Sequence, residues 1–233
     1  VSRTLLLLAF CSSLFSQSYV YPSAQAVLRP IADKLADTMS VKDFGARGDG
    51  VTDDTSCLRA TISAAQSAQR SLYVPAGTYV FRGLVLAGGV DIYGDGAPLY
   101  SVLKYVGPGT ALRIENAGGR LRNLTITSAG PAAIGIDFFA ASEMYLDHVE
   151  VGTSVTSKFG IGIRLVESGA TVLEHYVSSW NDVGVLLGSG KSANAHIVVQ
   201  NSNFFGQSVA AVQIKEGTAV YIEKSWMEAF QNG

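Results

Sequence analysis

The chain has 233 residues, 48% of them hydrophobic and 15% charged, with 25 glycines and a formal net charge of −2. That composition supplies a sizeable core, and the length fits one domain with at most a short appendage. A weakly acidic chain argues against a nucleic-acid binder, and abundant glycine with few charges favours a turn-rich β protein over a helical bundle.

The chain opens VSRTLLLLAFCSSLFSQSYVYPSAQA. Arg3 precedes an apolar run from Leu5 to Phe10 that continues more weakly to Phe15, and Ala24-Gln25-Ala26 offers a small-residue cleavage site. Residues 1–26 read as a secretory signal peptide. The alternatives are a short anchor or an upstream segment outside the natural start, since Val1 is not methionine; the run is too short for a comfortable membrane span. Cleavage would remove one base and no acid, leaving a net charge of −3. The expected address is then secreted or periplasmic, with a phage-derived origin as the alternative, and with no membrane partner after cleavage and no nucleic-acid partner. Cys11 leaves with the signal, so Cys57 stands alone and makes no internal disulfide. It reads as a small buried residue on a helix.

Residues 27–39, VLRPIADKLADTM, place Ile31, Leu35 and Met39 at i, i+4 and i+8, the spacing of a short amphipathic helix or linker. Residues 40–55, SVKDFGARGDGVTDDT, pack Asp43, Asp49, Asp53 and Asp54 among Gly45, Gly48 and Gly50. A second helix follows in SCLRATISAAQSAQR, with Leu58, Ile62 and Ala65 on one face and Asp53, Asp54 and Thr55 placed to cap its start. The four aspartates could hold calcium through oxygen ligands, but they lack EF-hand spacing, and turns and caps explain them more economically. The glycines do not make a phosphate loop, because no Lys-Ser/Thr follows them.

From Ser71 onward helical periodicity disappears and short β-rich runs alternate with glycine turns. Leu121, Leu146, Leu173, Val199 and Ile222 recur at steps of 25, 27, 26 and 23, and Ile136, Ile163, Val185 and Ile214 at 27, 22 and 29. A loose period near 25 marks a solenoid whose coils are strands joined by turns. The expected architecture is all-β, a parallel β-helix of about six coils over 71–233, with residues 40–70 capping its open first coil against edge pairing. Two residues beyond the leucine column stand Asn123, His148, His175, Asn201 and Lys224. They read as an internal polar ladder at a bend, with a metal or acid–base site at the two histidines as the alternative. An internal position would make glycosylation of the Asn123-Leu124-Thr125 sequon improbable.

One residue before that ladder stand Arg122, Asp147, Glu174, Gln200 and Glu223. Alternation sends them to the outer face. Asp147 and Glu174 then neighbour each other on adjacent coils, a candidate catalytic carboxylate pair, with Glu150 and Asp182 within reach. The competing reading is an ordinary solvated face. Arg164 is the best single candidate for a base or carboxylate clamp, and Tyr145, Tyr176, Trp180 and Trp226 are sugar-stacking candidates that packing would explain equally well.

SVKDFGARGDGVTDDTSCLRATI followed by SLYVPAGTYVF resembles the N-terminal signature of the pectate-lyase-like family. The members are single-stranded right-handed β-helices that include polysaccharide lyases, glycoside hydrolases, rhamnogalacturonases, uronan epimerases and phage tailspikes. The match is specific over 40–80 and weak beyond. The preceding helix looks most like phage-type tail proteins, whereas the signal peptide favours a secreted bacterial protein. The resemblance implies the fold and a polysaccharide partner, without choosing a reaction. Asn-Thr-Asp, Asp-Asp and Gly-His-Gly signatures of polygalacturonase-like hydrolases are missing, as is a calcium–aspartate cluster beside an arginine. No cofactor is expected, calcium being the one possible exception. SWMEAFQNG breaks off in mid-coil, which fits either a longer gene product or an end covered in a homotrimer. Three readings follow: a polysaccharide hydrolase or lyase, a non-catalytic carbohydrate-binding β-helix, and a tailspike-like structural protein.

Overall fold

The computed structural model describes residues 18–19, 26–96, 99–130, 132–188, 195–217 and 219–229. The chain divides into two compact units, Val1–Thr38 and Met39–Gly233. In the first, Ser18–Tyr19 pairs antiparallel with Arg29–Pro30, and helix α1 spans only Ile31–Leu35 with none of its residues buried. The helix expected over 27–39 is thus little more than one turn. Arg29 grips the Asp37 carboxylate at 2.8 and 2.9 Å, and this pairing holds the carboxyl down at about 2. Apart from 18–19 and 26, the signal-peptide expectation lies outside the described residues.

The second unit is a right-handed parallel β-helix. Every strand pairing in it is parallel, and three faces stack one strand per coil. The first face runs from Met39–Ser40 through Leu72–Val74, Ile92–Gly94, the leading halves of Gly119–Ser128 and Met144–Val151, Gly169–Glu174 and Ala195–Gln200 to Val220–Glu223. The second runs from Asp49–Asp53 through Gly77–Phe81 and Ser101–Tyr105, then the trailing halves of the same two long strands, then Val177–Ser179 and Asn203–Gln207 to Trp226–Ala229. The third holds Leu84–Ala87, Thr110–Glu115, Ala132–Phe139, Phe159–Val166, Val183–Leu187 and Ala210–Ile214. Six coils carry all three faces, as the repeat period predicts, with partial coils at either end of the described region.

The apolar columns fill the interior. Leu121, Leu146, Leu173 and Val199 pair in register and are at most 1% exposed, and Ile136, Ile163 and Val185 are fully buried. Helix α2, Thr55–Ala68, buries Leu58, Thr61, Ile62 and Ala65 against this core. It covers the first coil, as expected from the sequence.

Each aspartate of the cap motif has a local acceptor duty. Asp43 accepts from the Ser40 N–H at 2.9 Å in a capping box on a short 3-10 turn, Val41–Phe44. Asp49 accepts from the N–H groups of Val51 and Thr52 at 3.0 and 2.7 Å, and Asp53 from that of Thr55 at 3.0 Å. Asp54 differs from the expected helix cap. It is 1% exposed, and its carboxylate reaches back to the N–H groups of Arg47 at 2.8 Å and Gly48 at 3.1 Å. Gly48 sits at φ +65°, where a Cβ would meet the Tyr79 ring at 2.8 Å. The stretch 40–55 therefore contributes a strand, Asp49–Asp53, paired with Gly77–Phe81, and is more than a turn between helices.

The polar column corrects an expectation. Asn123, His148, His175, Asn201 and Lys224 do mark the bend between the first and second faces, and all five have φ between 47° and 57°. A left-handed bend favours Asn and His, which accounts for much of the column's composition. The histidines, however, stack on the outside, their side chains 53% and 43% exposed. One left-handed residue resets the strand alternation, so the residue after the bend turns inward. Leu124, Val149, Tyr176 and Ser202 are all at most 1% exposed. The reason given against glycosylating Asn123 thus falls with the internal ladder.

Candidate functional site

The register places one outer column along the first face: Tyr73, Tyr93, Arg122, Asp147, Glu174, Gln200 and Glu223. Tyr73 and Tyr93 stack at 5.2 Å and 24°. The Arg122 guanidinium lies 5.9 Å from the Tyr93 ring centre, and Arg122 makes no ion pair among the described residues. Asp147 and Glu174 occupy successive coils, about 4.8 Å apart along the ladder.

Both carboxylates are engaged by hydrogen-bonding groups. Asp147 Oδ1 lies 2.6 Å from His148 Nδ1 and 3.0 Å from His175 Nδ1. The two imidazole rings stack at 4.4 Å. Glu174 accepts from the Tyr145 hydroxyl. That hydrogen bond, helped by burial, pushes the phenol up to about 12. Beyond the bend, His148, Val149, Glu150, His175, Val177, Ser179 and Phe205 line a groove of about 220 Å³. Burial pushes the Glu150 carboxyl up, against the 3.1 Å hydrogen bond from the Ser179 hydroxyl. Glu150 is thus the carboxyl at this site best suited to hold a proton.

The remaining candidates disperse. Arg164 lies on the third face and is not alone: its Nε and Nη2 grip Asp137 at 2.8 Å each. Asp137 is fully buried and is also held by Arg113 at 2.9 Å, which in turn pairs with Glu115. Tyr176 is buried edge-on to Phe204 at 5.8 Å and presents no stacking surface, because it is the inward residue after the bend. Trp180 packs over Gly206, where a Cβ would meet its ring at 2.7 Å. Trp226 is 63% exposed and stands in register with Glu150, Val177 and Asn203 on the second face. Asp182 is bound to Lys158 at 2.7 Å and Ser208 at 2.6 Å and does not line the groove. Tyr73 and Tyr93 were missed; each follows a residue of the inner column, Leu72 and Ile92, and that offset was the signal. Among the described residues, the one group that brings three side-chain ligand atoms of His, Cys, Asp or Glu within 4.8 Å is Asp147, His148 and His175.

The model of the rhamnogalacturonase A/epimerase, pectate lyase-like family matches residues 38–233. The chain is 34% identical over 117 residues to the tail spike protein of Shigella phage Sf6, covering 46% of this chain and 19% of that protein. It is 44% identical over 66 residues to mannuronan C5-epimerase AlgE1 of Azotobacter vinelandii, covering 24% and 5%. The chain therefore spans a fifth or less of the length of these curated relatives. Bacteriophage CBA120 tailspike protein 3 shares the fold, with a TM-score of 0.51 and 17% identity over 91% of this chain and 41% of that one. The parallel coils, the cap motif and the family match agree: the chain belongs to the rhamnogalacturonase A/epimerase, pectate lyase-like family.

Proposed function

We propose that the chain belongs to an extracellular protein, secreted, periplasmic or phage-borne, and that its β-helix binds and cleaves an acidic, uronate-containing polysaccharide on its first outer face. The observation that carries this reading is the outer column itself. One residue per coil supplies an aromatic stack at Tyr73 and Tyr93, a cation at Arg122 and two carboxylates at Asp147 and Glu174. A chain of anionic sugars needs those elements in a row: a ring to stack on, a positive charge for its carboxylates and acid–base groups at the scissile bond. The relatives fit this reading, one being a tail spike and one an epimerase of mannuronan.

Asp147, against His148 and His175, and Glu174, against Tyr145, are held in place by these contacts and act as base and charge stabiliser. Glu150, kept protonated to higher pH by burial, supplies the proton to the leaving oxygen. Elimination would use the same base on the proton next to the uronate carboxyl. The test is turnover of polygalacturonate and alginate, following new reducing ends and unsaturated-uronate absorbance. Asp147→Asn and Glu174→Gln should each abolish product while leaving the melting temperature within a few degrees. Full activity in both variants rejects the assignment.

A second reading has its own support. Both carboxylates are already hydrogen-bonded, and the groove is open and small, which suits a binding surface without chemistry. Saturable glycan binding with no product of either kind would select it. Assembly as a homotrimer, implied by the tailspike resemblance, is tested by light scattering.

A further inference from the structure

We propose that Asp147, His148 and His175 form a binding site for a first-row divalent transition metal of the zinc class on the outer rim of the bend. The proposal stands on geometry and ligand chemistry and does not depend on the polysaccharide reading.

Three ligand atoms, one from each residue, lie within 4.8 Å of one another. Both imidazole Nδ1 atoms converge on the same carboxylate oxygen, at 2.6 and 3.0 Å. Tetrahedral zinc, with bonds of about 2.0–2.2 Å, places its ligands roughly 3.3–3.5 Å apart. Small side-chain rotations therefore open the cluster enough to admit an ion. The backbone beneath is fixed by the parallel ladder: Asp147 pairs with Glu174, and Glu150 with Val177, on either side of the two bend residues. His148 and His175 share one left-handed conformation, φ 52° and 48°, on successive coils, so their side chains leave the backbone in parallel. That arrangement holds two imidazoles at 4.4 Å before any ion arrives.

The donor set selects the class of metal. Two imidazoles and one carboxylate suit zinc, cobalt or nickel, whereas calcium and magnesium require oxygen ligands in greater number. Three protein ligands leave a fourth position, which faces solvent here because the histidine side chains are half-exposed. Each Nδ1 binds through its lone pair, so the metal-bound tautomer carries its ring proton on Nε2, and Asp147 contributes a carboxylate oxygen. The neighbouring bend positions hold Asn123 and Asn201, so the imidazole pair is confined to these two coils.

The test is calorimetric titration of the tag-free chain, stripped with a chelator, with zinc chloride alone, paralleled by the visible d–d absorption of added cobalt chloride. The account predicts one zinc per chain and a tetrahedral cobalt spectrum. His148→Asn and His175→Asn are the informative variants, because asparagine already occupies the equivalent bend at positions 123 and 201 and keeps the fold. Each should weaken zinc binding by at least ~10-fold, and Asp147→Asn should do the same. His196→Asn, at the remaining histidine, should leave binding unchanged. Absence of zinc binding by the wild-type chain, or binding that survives the His148→Asn/His175→Asn double variant, overturns the proposal.

Discussion

Replacing Asp54 by alanine tests the reading of the cap motif. Its carboxylate is 1% exposed and takes two backbone N–H donors, from Arg47 and Gly48, at 2.8 and 3.1 Å. Hydrogen bonds to a charged group are worth about 1.5–3 kcal/mol each, and removing the acceptor leaves the donors short of a partner. Arg47 is exposed and Gly48 half-buried, so water recovers part of the loss, and the net cost comes to ~2–4 kcal/mol. In a domain of this size each kcal/mol moves the melting temperature by about 2–4 °C, which gives a fall of roughly 4–16 °C by calorimetry or circular dichroism. Asp53→Ala is the control. Its side chain is 47% exposed and bonds mainly to Thr55 and Arg82 at the surface, so it should cost under ~1 kcal/mol. Equal losses in the two variants, or an Asp54→Ala loss below ~0.5 kcal/mol, would refute the assignment of Asp54 as the anchor of the loop.

Three further outcomes follow from the same structure. Burial raises the Glu150 carboxyl in the folded state, so folding favours its protonated form and its charge opposes stability as pH rises through the folded value. Glu150→Gln should therefore raise the melting temperature at pH 7 and change it little at pH 4; a drop at pH 7 contradicts this. Asp49 is depressed from 3.8 to about 2, chiefly by the Thr52 backbone N–H, and Asp53 is also lowered, chiefly by the Thr55 hydroxyl. Their contribution is present above the unfolded value and disappears as pH falls through the folded one. The cap should therefore loosen between pH ~4 and ~2, seen as earlier hydrogen exchange in α2 than in the central coils. Asp137→Asn breaks a carboxylate held by Arg113 and Arg164, whose side chains are 33% and 31% exposed. Removing one partner of a fully buried pair costs about 3–5 kcal/mol; with half-wet arginines the expected loss in urea unfolding is ~1–3 kcal/mol, and no loss would contradict the observed grip.

Much of the coil was legible because a parallel solenoid turns sequence period into spatial register. Leu121, Leu146 and Leu173 are spaced like the coils and so stack; Arg122, Asp147 and Glu174 follow as the alternate, outward set. The bend residues were recognised as a column but placed on the wrong side. Period-two alternation holds only while the backbone stays extended, and a single left-handed residue at each bend breaks it. The same break turned Tyr176 inward. The Arg164–Asp137 pair escaped notice because Asp137 sits between apolar neighbours in GIDFF and reads as an interruption of a strand, and its partner is 27 residues away. The single turn of α1 fell short of expectation because one apolar pair, Ile31 and Leu35, does not sustain a longer helix without a surface to bury it.

The most direct measurement is the affinity of the chain for a defined uronate oligosaccharide, by calorimetry, in the wild type, Arg122→Ala and Arg164→Ala. The account puts the polysaccharide on the first face, where Arg122 is unpaired among the described residues, and not on the third, where Arg164 is occupied by Asp137. It predicts binding that weakens at least ~10-fold in Arg122→Ala, about 1.4 kcal/mol, and is unchanged in Arg164→Ala. Loss in Arg164→Ala with retention in Arg122→Ala would move the site to the third face and contradict the account.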